Sequence, residues 1–169
     1  NENIDIKNQI DQLTIQNNDL TNHIFELENY LKKTKLYSKL FESLISQIDD
    51  LDKIMIKDKS LLHFVCEIGN LELVKYIISL DKIDINSKTD NNWTILHSAC
   101  KSGSLELVKY IISLDKIDIN SETDNNWTIL HSACLSGNLE LVKYIISLDK
   151  IDINSKTDNN WTILHLACK

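Results

Sequence analysis

Four histidines each stand three residues before a cysteine: His63 and Cys66, His97 and Cys100, His131 and Cys134, His165 and Cys168. On a helix that spacing puts both side chains on one face, and imidazole and thiolate are the ligands zinc prefers. Packed helices, however, lie ~8–10 Å apart. Two such pairs on neighbouring helices cannot close round one ion. A disulfide needs Cα atoms within ~7 Å, so neighbouring cysteines cannot bridge either. Four buried, reduced thiols are therefore expected, as suits a cytoplasmic or nuclear protein. Asn92-Trp-Thr94, Asn126-Trp-Thr128 and Asn160-Trp-Thr162 match the glycosylation acceptor pattern. Without a secretory signal these asparagines read as turn formers. No phosphate loop, nucleophile–base pair or paired carboxylates stand out. The expectation is no catalytic residue, no metal and no cofactor.

These pairs recur because the chain repeats. Residues 94–127 return at 128–161 with three changes, Lys101 to Leu135, Ser104 to Asn138 and Glu122 to Lys156. An earlier copy, 60–93, differs at eight positions, and a fourth starts at Thr162. Self-similarity at a fixed 34-residue period means stacked repeats. Within one unit, Ile95 to Ser102 is a short apolar stretch closed by Gly103, which suits a left-handed helix stop. Ser104, like Asn70 and Asn138, stands at an N-cap. Glu106 suits the first helical turn, and Leu105, Val108, Ile111 and Ile112 follow helical spacing. Ile117 to Asn120 alternates and reads as extended. Thr123 to Asn126 reads as a turn, with asparagine accepting positive φ. One helical hairpin cannot bury its apolar face alone, so neighbours must stack.

Thr94-Ile-Leu-His97-Ser-Ala99, Thr128-Ile-Leu-His131-Ser-Ala133 and Thr162-Ile-Leu-His165-Leu-Ala167 resemble the ankyrin signature T-P-L-H-x-A. Ser60-Leu-Leu-His63-Phe-Val65 is a degenerate version. The resemblance covers residues 60–169 and implies an all-α ankyrin solenoid of helix, helix and finger-like turn, in a long array of the kind found in single-celled eukaryotes. Ile95, Ile129 and Ile163 replace the family's usual proline, which should weaken helix initiation slightly. The extra residue of the 34-residue period falls near Leu114 to Lys116, where the family usually has glycine. An altered exit from the second helix is expected there, with the fold unchanged. The resemblance further implies partner binding by finger tips and by the exposed face of the first helices. Those positions are Lys88, Asp90, Asn91, Ser98, Lys101, Glu122, Asp124, Asn125, Ser132, Leu135, Lys156 and Asp158. Among them Lys88/Glu122/Lys156, with Glu67/Lys101/Leu135, vary between copies and would encode specificity. Trp93, Trp127 and Trp161 are candidate hot spots; their sameness in every copy favours a structural ladder instead. Tyr76, Tyr110 and Tyr144 read as packing residues.

Residues 1–35 differ in kind. Ile10 and Ile24 fall at heptad position a, Leu13, Leu20 and Leu27 at d, and Asn17 at the a position between them. That pattern favours a parallel two-stranded coiled coil with asparagine fixing register, hence a homodimer through residues 6–31. Residues 36–59 read as an amphipathic capping helix and linker, with Tyr37, Leu40, Phe41, Leu44, Ile48 and Leu51 on one face. The repeats follow at 60–93, 94–127 and 128–161, with a truncated fourth at 162–169. Its Leu164, Leu166 and Ala167 should be half covered, as in a fragment of a longer array.

The net charge of −7 and the lack of a basic stripe disfavour nucleic acid. No apolar run approaches the ~18 residues of a membrane span. Lysine supplies every strong base; arginine and proline are absent, which with the abundant Asn, Ile and Lys suggests AT-rich coding. The function expected is a non-catalytic protein–protein interaction scaffold that self-associates through its N-terminal helix, for a polar or mixed-charge partner. The alternative is a structural spacer within a longer array.

Overall fold

The computed structural model describes residues 42–48, 51–56, 59–114, 117–148 and 151–167. The heptad residues Ile10, Leu13, Asn17, Leu20, Ile24 and Leu27 lie outside the described residues, as does Cys168. The chain divides into two compact units, Asn1–Leu44 and Ile45–Lys169. Of the first, only residues 42–44 are described, and they are helical.

The second unit is a stack of helical hairpins. Its helices are α1 (Leu61–Ile68), α2 (Leu71–Ser79), α3 (Ile95–Ser102), α4 (Leu105–Ile112), α5 (Ile129–Ser136), α6 (Leu139–Ile146) and α7 (Ile163–Ala167). The first helices α1, α3, α5 and α7 pack in sequence, and α2, α4 and α6 each back onto their own partner. Leu62, Leu96 and Leu130, with Cys66, Cys100, Ala99 and Ala133, fill the seam between first helices. Alanine and cysteine there let the helices approach closely, as ridges-into-grooves packing requires. Leu73, Val74 and Ile77 bury the inner face of α2, and Leu107, Val108 and Ile111 that of α4.

Helix starts explain how the fold manages without proline. Thr94 Oγ1 accepts the His97 N–H (3.3 Å), and His97 Nδ1 accepts the Thr94 N–H (3.4 Å). This is a capping box with histidine in the usual Glu/Gln place. Thr128 and His131 repeat it. The second helices differ among themselves. Asn70 and Asn138 side chains cap α2 and α6, but Ser104 makes no side-chain cap bond to α4. Asn138 makes a further tie between repeats, its Nδ2 donating to the Gly103 carbonyl (2.8 Å). Gly69, Gly103 and Gly137 close the first helices at φ +80, +76 and +73. At the altered exit from α2, Asp81 adopts φ +52; the equivalent Asp115 lies outside the described residues.

Two readings are corrected. The capping helix does not run on to Leu51: residues 42–46 are helical, and Leu51–Lys53 is a separate 3-10 turn. The following strands β1 (Met55–Ile56) and β2 (Lys59–Ser60) pair as a short antiparallel hairpin. Among the described residues of this cap, Ile45, Leu51 and Ile56 are the buried apolar ones. Nor is Ile117 to Asn120 extended. Asp118 Oδ1 accepts the Asn120 N–H at 2.9 Å, and 119–120 is a turn. An aspartate two residues ahead of a free amide captures it locally, which competes with strand geometry.

Candidate interaction surface

Each finger is a tight hairpin. Thr89 N–H donates to the Trp93 carbonyl (3.1 Å), Asn92 N–H to the Thr89 carbonyl (2.9 Å) and Trp93 N–H to Thr89 Oγ1 (3.2 Å). Thr123 to Trp127 and Thr157 to Trp161 repeat all three bonds. Asn92, Asn126 and Asn160 sit at φ +59, +56 and +57, a conformation asparagine accepts and a β-branched residue resists.

Adjacent fingers are joined side by side. Asp124 N–H donates to the Asn91 carbonyl (3.2 Å), and Asn92 Nδ2 donates to Asp124 Oδ1 (2.6 Å). Asp158 N–H and the Asn125 carbonyl (3.1 Å), with Asn126 Nδ2 and Asp158 Oδ1 (2.6 Å), make the next rung. Helices are tied to fingers by histidine. His63, His97 and His131 each donate Nε2–H to the carbonyl of the tryptophan that ends the same repeat, Trp93, Trp127 and Trp161, at 2.9, 3.0 and 3.3 Å. A carbonyl only accepts, so Nε2 carries the hydrogen. In the neutral ring Nδ1 is then the acceptor, and the hydroxyls of Ser60, Thr94 and Thr128 donate to it at 2.8 Å. Burial pushes the His97 imidazole down to about 4, against the Trp127 carbonyl and with help from Lys88 and the neighbouring histidines. His63 and His131 are lowered for the same first reason.

Trp93 and Trp127 are half-buried. Their Nε1–H groups donate to Ser98 Oγ and Ser132 Oγ, both at 2.9 Å, and their rings lie 5.2 and 5.4 Å from His97 and His131. Trp161 lies 6.3 Å from His165. Ser98 and Ser132 are consequently corrected as surface positions: both are fully buried, each beneath its tryptophan. The signal was present, since the same repeat position holds Phe64 and Leu166, which are also buried. Leu166 was expected half covered and is buried, whereas Leu164 is exposed; the side chain of Ala167 lies outside what is described.

Both ring nitrogens of His63, His97 and His131 are thus committed to hydrogen bonds. Burial pushes the Cys66 and Cys100 thiols far up, and that of Cys134 up as well, so they persist as thiols rather than metal-binding thiolates. Cys66, Cys100 and Cys134 are free and buried. Among the described residues, no group of three or more His, Cys, Asp or Glu is placed to hold a metal ion.

The remaining expected positions are exposed. Lys88, Glu122 and Lys156 follow one another along the fingers, next to Asp90, Asn91, Asp124, Asn125 and Asp158. A cleft of about 120 Å³ opens beside Lys88, lined also by Asn86, Thr94, Asp118 and Ser121. On the first helices, Lys101 Nζ bonds Glu67 at 2.7 Å, and Lys59 bonds the same carboxylate. Burial opposes the charge on Glu67, but the bonds from Lys101 and Lys59 outweigh it and hold its carboxyl below the usual range. Sequence periodicity could not reveal Lys59, which belongs to no repeat. Leu135 takes the equivalent place on α5 and is exposed. The tryptophans, histidines and finger asparagines that recur between copies thus build the ladder, while the varying Lys88, Glu122, Lys156, Lys101 and Leu135 face solvent.

The family model described as ankyrin repeats (3 copies) matches residues 32–123 and 115–169. The chain belongs to the ankyrin-repeat family. Comparison with curated proteins gives no match. Ankyrin repeats generally mediate protein–protein interaction and are typically non-catalytic. The helical solenoid fits the family. Among the described residues, no helix is long and apolar enough to cross a membrane.

Proposed function

We propose that the chain is a non-catalytic scaffold that recognises a polar, mixed-charge protein partner along its fingers and first helices. One observation carries this reading. The ladder residues are the same in successive repeats, while Lys88/Glu122/Lys156 and Lys101/Leu135 change charge or polarity at exposed positions. Specificity resides in those five residues, flanked by Asp90, Asn91, Asp124, Asn125 and Asp158. Trp93 and Trp127, pinned by His and Ser, and Trp161, held through its carbonyl by His131, act as rungs rather than as binding anchors. The buried thiols suit a reducing compartment, the cytoplasm or nucleus. In affinity capture from native lysate, a partner should be retained by the wild type and lost when Lys88, Lys101, Glu122, Leu135 and Lys156 are all changed to alanine. Equal recovery by both baits contradicts this reading.

The near-identity of 94–127 and 128–161 favours a second reading, a structural spacer with no partner on this segment. Equal recovery by the two baits would select it.

Self-association through Ile10, Leu13, Asn17, Leu20, Ile24 and Leu27 is part of the proposal and rests on the heptad pattern alone. Light scattering should give twice the chain mass for residues 1–169 and a single chain once residues 1–35 are removed. One chain mass in both cases ends the idea.

A further inference from the structure

The fingers carry three charges that the fold does not use. Lys59, Lys75, Lys101, Lys109 and Lys143 each hold a glutamate in a salt bridge, but among the described residues Lys88, Glu122 and Lys156 are in none. These three occupy one repeat position, and all are exposed. Lys88 faces Thr94 across the base of its finger, and Lys156 faces Thr162 in the same way. Burial lowers both His97 and His131; Lys88 lowers His97 further, whereas Glu122 opposes the shift of His131. Each charge therefore lies near the start of the first helix that follows it. The constant carboxylates nearby are spent within the fold. Asp118 accepts the Asn120 N–H and the Ser121 hydroxyl, Asp124 accepts Asn92 Nδ2, and Asp158 accepts Asn126 Nδ2. Along this repeat position the unspent charge reads plus, minus, plus. The cleft beside Lys88 gives the first of them a seat, with Ile85, Ile95 and Ile117 as its apolar wall. At about 120 Å³ it far exceeds the ~15 Å³ that one water needs, so a carboxylate and its methylenes fit against the isoleucines.

Stacked helices lie ~8–10 Å apart, and the fingers, hydrogen-bonded side by side, keep that step. A β-strand does not match it, because side chains on one face recur at ~7 Å or ~13 Å. A polyproline II segment does. Its three residues per turn and ~3.1 Å rise put every third side chain on one face, ~9 Å apart. We infer that the fingers read a polyproline II segment of a partner protein, with the charge pattern acidic-x-x-basic-x-x-acidic. The first acidic side chain enters the cleft beside Lys88, the basic one meets Glu122, and the second acidic one meets Lys156. The pattern is symmetric, so either chain direction satisfies it. This register rests on the scaffold reading above and goes further in naming the conformation and charge order of what binds.

The test is fluorescence anisotropy of two labelled peptides, capped at both ends, against the full chain: Glu-Pro-Pro-Lys-Pro-Pro-Glu and its inverse, Lys-Pro-Pro-Glu-Pro-Pro-Lys. The first should bind about tenfold tighter or more, since three exposed pairs change from attraction to repulsion in the second. The chain carries a net charge of −7, so nonspecific attraction favours the inverse peptide and cannot mimic that result. Exchanging the row, by Lys88→Glu with Glu122→Lys and Lys156→Glu, should reverse the preference. Equal binding of the two peptides, no binding of either at millimolar concentration, or the same preference in both chains would overturn the register. If that happens while the five-alanine bait still loses a captured partner, the register falls and the scaffold reading stands. Equal recovery by the two baits removes both.

Discussion

Taking the protein from pH 7 to pH 4 is expected to remove about 3 kcal/mol of stability through His97 alone. Its folded pKa of about 4 lies below the ordinary 6.5 because burial disfavours the charged ring. Between those values the unfolded chain binds more protons than the folded one. Stability is therefore complete above about pH 6.5, falls as the pH drops, and stops falling on this account near pH 4. His63 and His131 are shifted the same way and deepen the loss. Protonation also removes the Nδ1 acceptor that closes the capping box, and it sets like charges along one row of histidines. Glu67 contributes separately. Its lowered carboxyl stabilises the fold above its ordinary value of 4.5, and that contribution is lost as the pH falls through the folded value. Urea unfolding midpoints between pH 4 and 7.5 measure the whole curve. His97→Gln should flatten it between pH 6.5 and 4; an unchanged slope in that variant would show that the ladder histidine does not carry the effect.

The second large effect is at the turn between α3 and α4. Gly103 holds φ +76, where a β-branched residue is strained. An added Cβ also meets Ser136 of the next repeat at 3.4 Å, so the valine methyls press into the neighbouring turn. Gly137 has the same backbone, φ +73, and open space around it. Gly137→Val should thus cost about 1–2 kcal/mol from the backbone, and Gly103→Val a further 1 kcal/mol or so from overpacking. Chemical denaturation of the two variants separates the terms. Equal losses would mean that the repeats do not press together at this turn.

Periodicity made the stack legible because every copy restates the same helix spacing and the same glycine stop. The positive φ of Asn92, Asn126 and Asn160 followed from the residue types in the turn. What escaped depends on neighbours in space. Ser98 looks like a surface residue until the tryptophan five residues earlier covers it and needs an acceptor. Ile117 to Asn120 alternates like a strand, but the Asp118 side chain takes the Asn120 amide that a ladder would have used. Ser104 has a capping residue type, yet its hydroxyl makes no bond to the helix. His97 belongs to the recurring Thr94–Ala99 signature, whereas its bond to Trp127 spans thirty residues and cannot be read from local spacing. Lys59 approaches Glu67 only because the cap replaces a finger with a two-strand hairpin.

Recurring Trp, His and Asn residues hold the stack, and Lys88, Lys101, Glu122, Leu135 and Lys156 are left to face a partner. The most direct measurement is the thermal midpoint of the Lys88, Lys101, Glu122, Leu135 and Lys156 to alanine variant, taken beside its capture profile. The account predicts a midpoint within a few degrees of wild type, since exposed ion pairs contribute at most ~1 kcal/mol each, together with loss of the captured partner. A midpoint lowered as far as that of Gly103→Val, or an unchanged capture profile, would contradict it.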